Sequence, residues 1–279
     1  MIINLHKTRN RLVAGFVFIF LPIIFKIGIE QGSENRQPQD VCGSLLAWNE
    51  VKERFPLYAE ATVIDYDSHK WFRVQRRAGQ YHADVQPLTA ADTATMKEIC
   101  GGWSWRRRAV AVKLEDGQQI AGSMACMPHG AGAIQGNNFN GHFCIHFMDS
   151  TTHGSRKLDL AHQIMVWKAA DQIGPRLMAM GPQKTLEVLF TAINQGDHSI
   201  PRRIIHRPDT ALLSKIFTIH SVQVLNLQKV DEKKYFLDIR ISYKDSPQIL
   251  RKKATINMIN SEGIWQIEKD SLLPLFEDI

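Results

Sequence analysis

The residues best suited to chemistry lie in one short run, His142-Phe143-Cys144-Ile145-His146-Phe147. In an extended chain successive side chains face opposite sides, so His142, Cys144 and His146 share one face while Phe143, Ile145 and Phe147 enter a core. A thiol becomes a nucleophile when a neighbouring base or positive charge draws off its proton, and imidazole is the usual partner. Cys144, flanked in this way, is a candidate nucleophile. His129 lies fifteen residues earlier, across a stretch rich in Gly and Asn. A purely structural reading stands beside this one: buried cysteine is common, and nearby histidines can simply satisfy backbone carbonyls.

The same side chains offer a second chemistry. His82, Asp84, His129, His142 and His146 supply enough nitrogen and oxygen ligands for zinc, and Cys144 adds a sulfur. Against this, the sequence holds no His-Glu-x-x-His pair, and His153 and His162 are not spaced as ligands on one helix face. Thiol chemistry without a cofactor is the first expectation, and a zinc site is the alternative.

Either chemistry needs a rigid frame, and the pattern supplies strands. Residues 61–74 read as a hairpin around Asp65, Asp67 and Ser68, and residues 108–124 as a second hairpin turning at Asp116-Gly117. Between them Thr89 opens a helix with Asp92 in a capping-box position, Met96 and Ile99 on one face, and Gly101-Gly102 as the stop. Residues 159–170 carry apolar side chains at near-helical spacing. Gly, Pro and Met interrupt the pattern at 174–182. Helical spacing returns at 186–193 and 211–216, and strands follow at 219–227, 235–243, 254–259 and 263–268. The expected fold is a mainly β catalytic-like domain (59–174) followed by an α+β module (183–279), behind a lead-in (31–58) and an N-terminal hydrophobic helix (1–30).

That N-terminal helix bears on compartment. Lys7, Arg9 and Arg11 form a basic head, and residues 12–25 carry no charge. The apolar stretch 12–29 would span about 27 Å as a helix, close to a hydrocarbon core of ~30 Å. A basic head stays in the cytoplasm, so an uncleaved single-pass anchor with the rest of the chain outside is expected. The alternative is a cleaved export signal that releases the protein to the cell wall. Cys42, Cys100, Cys126 and Cys144 suit disulfides in an oxidising exterior. The net charge of +6 favours anionic surroundings such as a wall polymer or lipid headgroups. It is spread along the chain, which argues against nucleic acid. Trp71, Trp103 and Trp105 read as core or as a glycan or peptide groove, and Arg106, Arg107 and Arg108 as a solvated strand edge.

His129-Gly130, the Gly/Asn-rich loop and His142-x-Cys144-Ile145 resemble the signature of YkuD-type L,D-transpeptidases, a likeness covering residues 59–170. The resemblance implies that Cys144 accepts the acyl group, that His142 is its base, that His129 shapes the site, and that Gly130, Asn140, Gly141 and His146 meet substrate. Gly141, Phe143 and His146 stand where the family has Ser, Gly and Arg. The element order of the C-terminal module resembles the nuclear-transport-factor-2-like superfamily, implying a binding or spacer role. The expectation is a bacterial, extracytoplasmic enzyme acting on peptidoglycan stem peptides through a cysteine acyl-enzyme, as transpeptidase or carboxypeptidase. Its expected partners are peptidoglycan or another anionic wall polymer, and the membrane through the N-terminal segment. A zinc-dependent wall peptidase and a non-catalytic wall-binding protein are the alternatives.

Overall fold

The computed structural model describes residues 41–276, so the expected N-terminal helix and the first ten residues of the expected lead-in, 31–40, lie outside the described residues. The segment Asp40–Ile279 folds as one compact unit. No helix among the described residues is long and apolar enough to cross a membrane.

A short helix, α1 (Trp48–Arg54), leads into β1 (Glu60–Asp65) and β2 (Trp71–Ala78). These strands bury alternate residues and pair antiparallel, with Val63 opposite Phe72. Asp65 makes the expected turn by accepting hydrogen bonds from Ser68 N and Oγ. β3 (Ala83–Pro87) follows, then α2 (Ala90–Cys100). The expected capping box of Thr89 and Asp92 is present, and Gly101 ends α2 in the left-handed region at φ 64°. β4 (Ser104–Lys113) and β5 (Gln119–Cys126) form the second hairpin, and β6 (Phe143–His146) inserts between β5 and β3. Pairing of β1 with β4 closes a six-stranded barrel in the order β1-β2-β3-β6-β5-β4. Val63, Phe72, Val74, Val85, Val112, Phe143, Ile145 and Phe147 fill it.

The arginine triplet lies where β4 pairs with β5 alone, since β1 covers only 110–113, but its side chains are engaged with the fold and not simply solvated. Arg106 donates to His220 O, Arg107 pairs with Asp159 at 2.8 Å, and Arg108 grips the fully buried Asp65 through two bonds. Arg76 sits inside the barrel mouth, where its guanidinium donates to the carbonyls of Lys52, Phe55, Ala78 and Gly79. Four acceptors offset the cost of burying that charge.

The remaining elements are α3 (Leu160–Ala169), α4 (Ile173–Met178), α5 (Pro182–Gln195), α6 (Ser199–Ile204), β7 (Ile205–His206), α7 (Thr210–Phe217), β8 (Ile219–Lys229), β9 (Lys234–Tyr243), β10 (Ile249–Ser261), β11 (Ile264–Glu268) and α8 (Lys269–Phe276). Five strands make a second sheet, ordered β7-β11-β10-β9-β8. One hydrophobic cluster joins Ile164 and Val166 of α3 to Leu186 and Leu189 of α5 and to Leu237, Ile239 and Ile256 of the sheet. Ala109 and Ala121, on the outside of the barrel, belong to the same cluster. The whole is a β-rich α+β structure.

Cys100 and Cys126 form a disulfide that ties the end of α2 to the end of β5 across 26 residues. A loop of that length predicts a contribution of about 3 kcal/mol. The double variant Cys100→Ser/Cys126→Ser is expected to lose about that much in urea denaturation; an unchanged midpoint and slope would show that the closed loop does not constrain the unfolded chain.

Candidate functional site

Antiparallel pairing of β3 with β6 sets Asp84 opposite Cys144, between the pairs Ala83–Ile145 and Val85–Phe143. Paired residues share a face, so Phe143 and Ile145 enter the barrel core as expected, while Cys144 and Asp84 face outward. That outer face is not exposed. Residues 149–159 and the 128–142 loop cover it, leaving Cys144 at 6% and Asp84 at 4% exposure.

Two segments close on each other beside the thiol. His129 and His142 form an antiparallel bridge with N–H to O distances of 2.9 and 2.8 Å. Gly141 permits this approach, since a Cβ there would lie 2.4 Å from His129 O and its φ is +105°. Gly130 likewise yields room to the His142 ring, 2.4 Å from where its Cβ would stand. Gln86 Oε1 then accepts from Ala133 N and Ile134 N and fixes the loop, a role that no sequence pattern signalled. Asn140, expected near substrate, is exposed at the end of this loop.

The imidazole on the sulfur is His129. Its Nε2 lies 3.1 Å from Cys144 Sγ, while Nδ1 is 2.8 Å from Met127 O. A carbonyl accepts only, so Nδ1 carries the proton and Nε2 offers a lone pair to the thiol. His142, expected as the base, turns Nδ1 to Ala131 O at 2.9 Å and meets the cluster through Nε2, 3.9 Å from Asp84 Oδ1. The Trp105 ring packs 5.3 Å from His129 and is half exposed, beside the site.

On the other side of the sulfur, Asp84 Oδ1 stands 3.7 Å from Sγ and 3.2 Å from both His82 Nε2 and His153 Nε2. Burial alone would raise this carboxyl, but His82, by its side-chain contact and charge, with His142 and His153, holds it down at about 2. Burial, reinforced by Asp84, pushes the Cys144 thiol far up. Burial lowers His129 below the ordinary histidine value, opposed in part by the Met127 carbonyl. At neutral pH the pair therefore rests as thiol and neutral imidazole.

His146 departs from expectation. It is sandwiched between His82, at 4.3 Å, and His162, at 3.7 Å, and is only 2% exposed. Burial, His162 and His82 keep it neutral. The ring is enclosed by its neighbours and does not line the open side of the site. Of the expected zinc ligands, His82 and Asp84 gather with Cys144 and His153, and His129 and His142 gather with Cys144. His146 joins neither group. No family model and no curated relative matches the chain.

Gly141→Ala, forced into a left-handed φ and onto His129 O, is expected to cost about 1–3 kcal/mol of stability, read by urea denaturation. A variant as stable as the parent would show that the bridge yields.

Proposed function

We propose that this chain is an extracytoplasmic, cysteine-dependent acyl-transfer enzyme acting on peptidoglycan stem peptides. The observation that carries the proposal is Cys144 Sγ 3.1 Å from His129 Nε2, with the far side of that imidazole fixed on a carbonyl. This is the nucleophile, base and orienter arrangement of thiol catalysis. The base in this reading is His129 rather than His142. Phe143 is no obstacle beside the cysteine, since its side chain packs against Phe72 and Phe139 in the barrel.

The sulfur attacks a peptide carbonyl carbon as its proton passes to His129 Nε2. The C–N bond breaks, the departing amine takes that proton, and a thioester remains. An acceptor amine then attacks the thioester to form a cross-link, or water attacks it to trim the peptide, and the thiol is restored. Trp105, half exposed and 5.3 Å from His129, would flank a substrate chain in this reading. The Cys100–Cys126 disulfide, the net charge of +6 and the basic, then apolar, N-terminal stretch support a membrane-tethered location outside the cytoplasm. The L,D-transpeptidase-like signature around Cys144 supports the substrate class. Residues 183–279 serve in this reading as a binding or positioning module.

A carbapenem-type acylating probe is expected to add its mass to the wild-type protein and not to Cys144→Ala. His129→Ala is expected to slow acylation by roughly 10²–10⁴-fold, and His142→Ala by less. Acylation that persists in Cys144→Ala would sink the proposal.

The pH profile offers a separate check. The lowered His129 keeps its basic form to more acid pH, so the acid limb is expected below the ordinary ~6.5. The raised thiol should give no thiolate-driven increase near the ordinary ~8.5. A rate that climbs through that pH would mean that free thiolate, not the thiol–imidazole pair, is the reactant.

A further inference from the structure

His82, one residue before β3, is 1% exposed, and its Nδ1 lies 2.8 Å from Thr151 O. That contact commits the Nδ1 proton to the carbonyl. The opposite nitrogen, Nε2, has no hydrogen-bond partner although it stands 3.2 Å from Asp84 Oδ1. A buried ring nitrogen held beside a carboxylate without a hydrogen bond leaves both groups undersatisfied, and a cation between them would satisfy both. Metal-bound histidines show this same pattern, with one nitrogen on the ion and the other N–H on a backbone carbonyl.

The rest of the surroundings match. His82 Nε2, Asp84 Oδ1, Cys144 Sγ and His153 Nε2 all lie within 4.8 Å of one another. Zinc bonds of ~2.0 Å to nitrogen and oxygen and ~2.3 Å to sulfur give tetrahedral edges of about 3.3 Å between N and O and about 3.5 Å between S and O. The three edges that meet at Asp84 Oδ1 are 3.2, 3.2 and 3.7 Å. A thiolate and a carboxylate together neutralise a dication, which makes burial tolerable. Three ligands come from or beside the rigid β3–β6 pair, and the fourth, His153, has a half-exposed side chain on the covering loop, where an ion can enter.

We propose that these four side chains bind one zinc-class divalent cation, and that the bound ion withholds the Cys144 sulfur from acylation. On binding, the S–H bond gives its proton to solvent and a metal–sulfur bond forms, so one proton leaves per ion. The cation site stands on its own geometry, whereas the brake rests on the acyl-transfer reading above.

Titration of the metal-free, disulfide-intact protein with Co²⁺ tests the site directly. The expected result is one equivalent bound with a thiolate-to-cobalt charge-transfer band, displaced by Zn²⁺. The band should vanish in Cys144→Ser. In His153→Ala, a partly exposed position that should leave the fold intact by circular dichroism, affinity should fall by more than the roughly 10–100-fold that loss of an outer-shell partner costs. Absence of stoichiometric binding, or a band and affinity unchanged by His153→Ala, overturns the site. For the brake, one equivalent of Zn²⁺ should slow alkylation of Cys144 by iodoacetamide in the wild type and not in His153→Ala; equal rates with and without zinc overturn it. Cobalt binding with no acylation by the carbapenem-type probe would keep the metal site while removing the acyl-transfer reading, so the two failures are distinct.

Discussion

The register of one short strand pair governs the site. β6 has four residues, and its pairing to β3 puts Asp84 opposite Cys144. A slip of β6 by one residue would turn Cys144 inward and present Phe143 on the outside, since side chains alternate with a period of two. The aromatic filling of the barrel prevents this. Phe143 packs against Phe72 at 6.0 Å and Phe139 at 5.8 Å, and Phe147 stacks on Trp48 at 5.9 Å. The hydrophobic interior thus fixes the position of a carboxylate and a thiol that do not belong to it.

Once those groups face outward under covering loops, the polar groups around them need partners. The loops answer mostly with backbone carbonyls: Met127 O for His129, Ala131 O for His142 and Thr151 O for His82. Each contact puts a proton on Nδ1, and each turns Nε2 toward the sulfur or the carboxylate. Farther out, the stacked rings of His82, His146 and His162 end at Ser123 Oγ, 2.9 Å from His162 Nδ1. Burial keeps the inner two rings neutral, so a stack of imidazoles avoids the repulsion that charged rings would bring.

Much of this frame was legible in the sequence because it rests on local rules. Both hairpins, the Thr89 cap, α3, α5, α7 and the strands β8 to β11 follow from alternation, helical spacing and turn residues, all of which act over a few positions. β3 was not legible. It reads Ala-Asp-Val-Gln-Pro, and all five residues are buried, so the polar members cover an outer face that loops enclose instead of marking a solvated one. The partnership of Asp84 with Cys144 spans 60 positions, a separation on which periodicity is silent. Nor does the sequence tell which histidine meets the thiol: His142 and His129 both gather with Cys144, and the hydrogen bond at the sulfur is made with His129. His129, fifteen residues away, arrives through the bridge that Gly141 allows.

The sulfur therefore has two neighbourhoods that cannot both hold it. Toward His129 it meets an acceptor at 3.1 Å, while burial, reinforced by Asp84 at 3.7 Å, opposes a free thiolate. Toward Asp84, His82 and His153 the same negative surroundings become an advantage as soon as a cation sits among them. The carboxylate that suppresses spontaneous ionisation is thus the group that would stabilise a metal thiolate. With the two proposals taken together, Asp84 restricts the nucleophile twice, as a bare anion that keeps sulfur protonated and as a ligand that helps an ion keep sulfur bound.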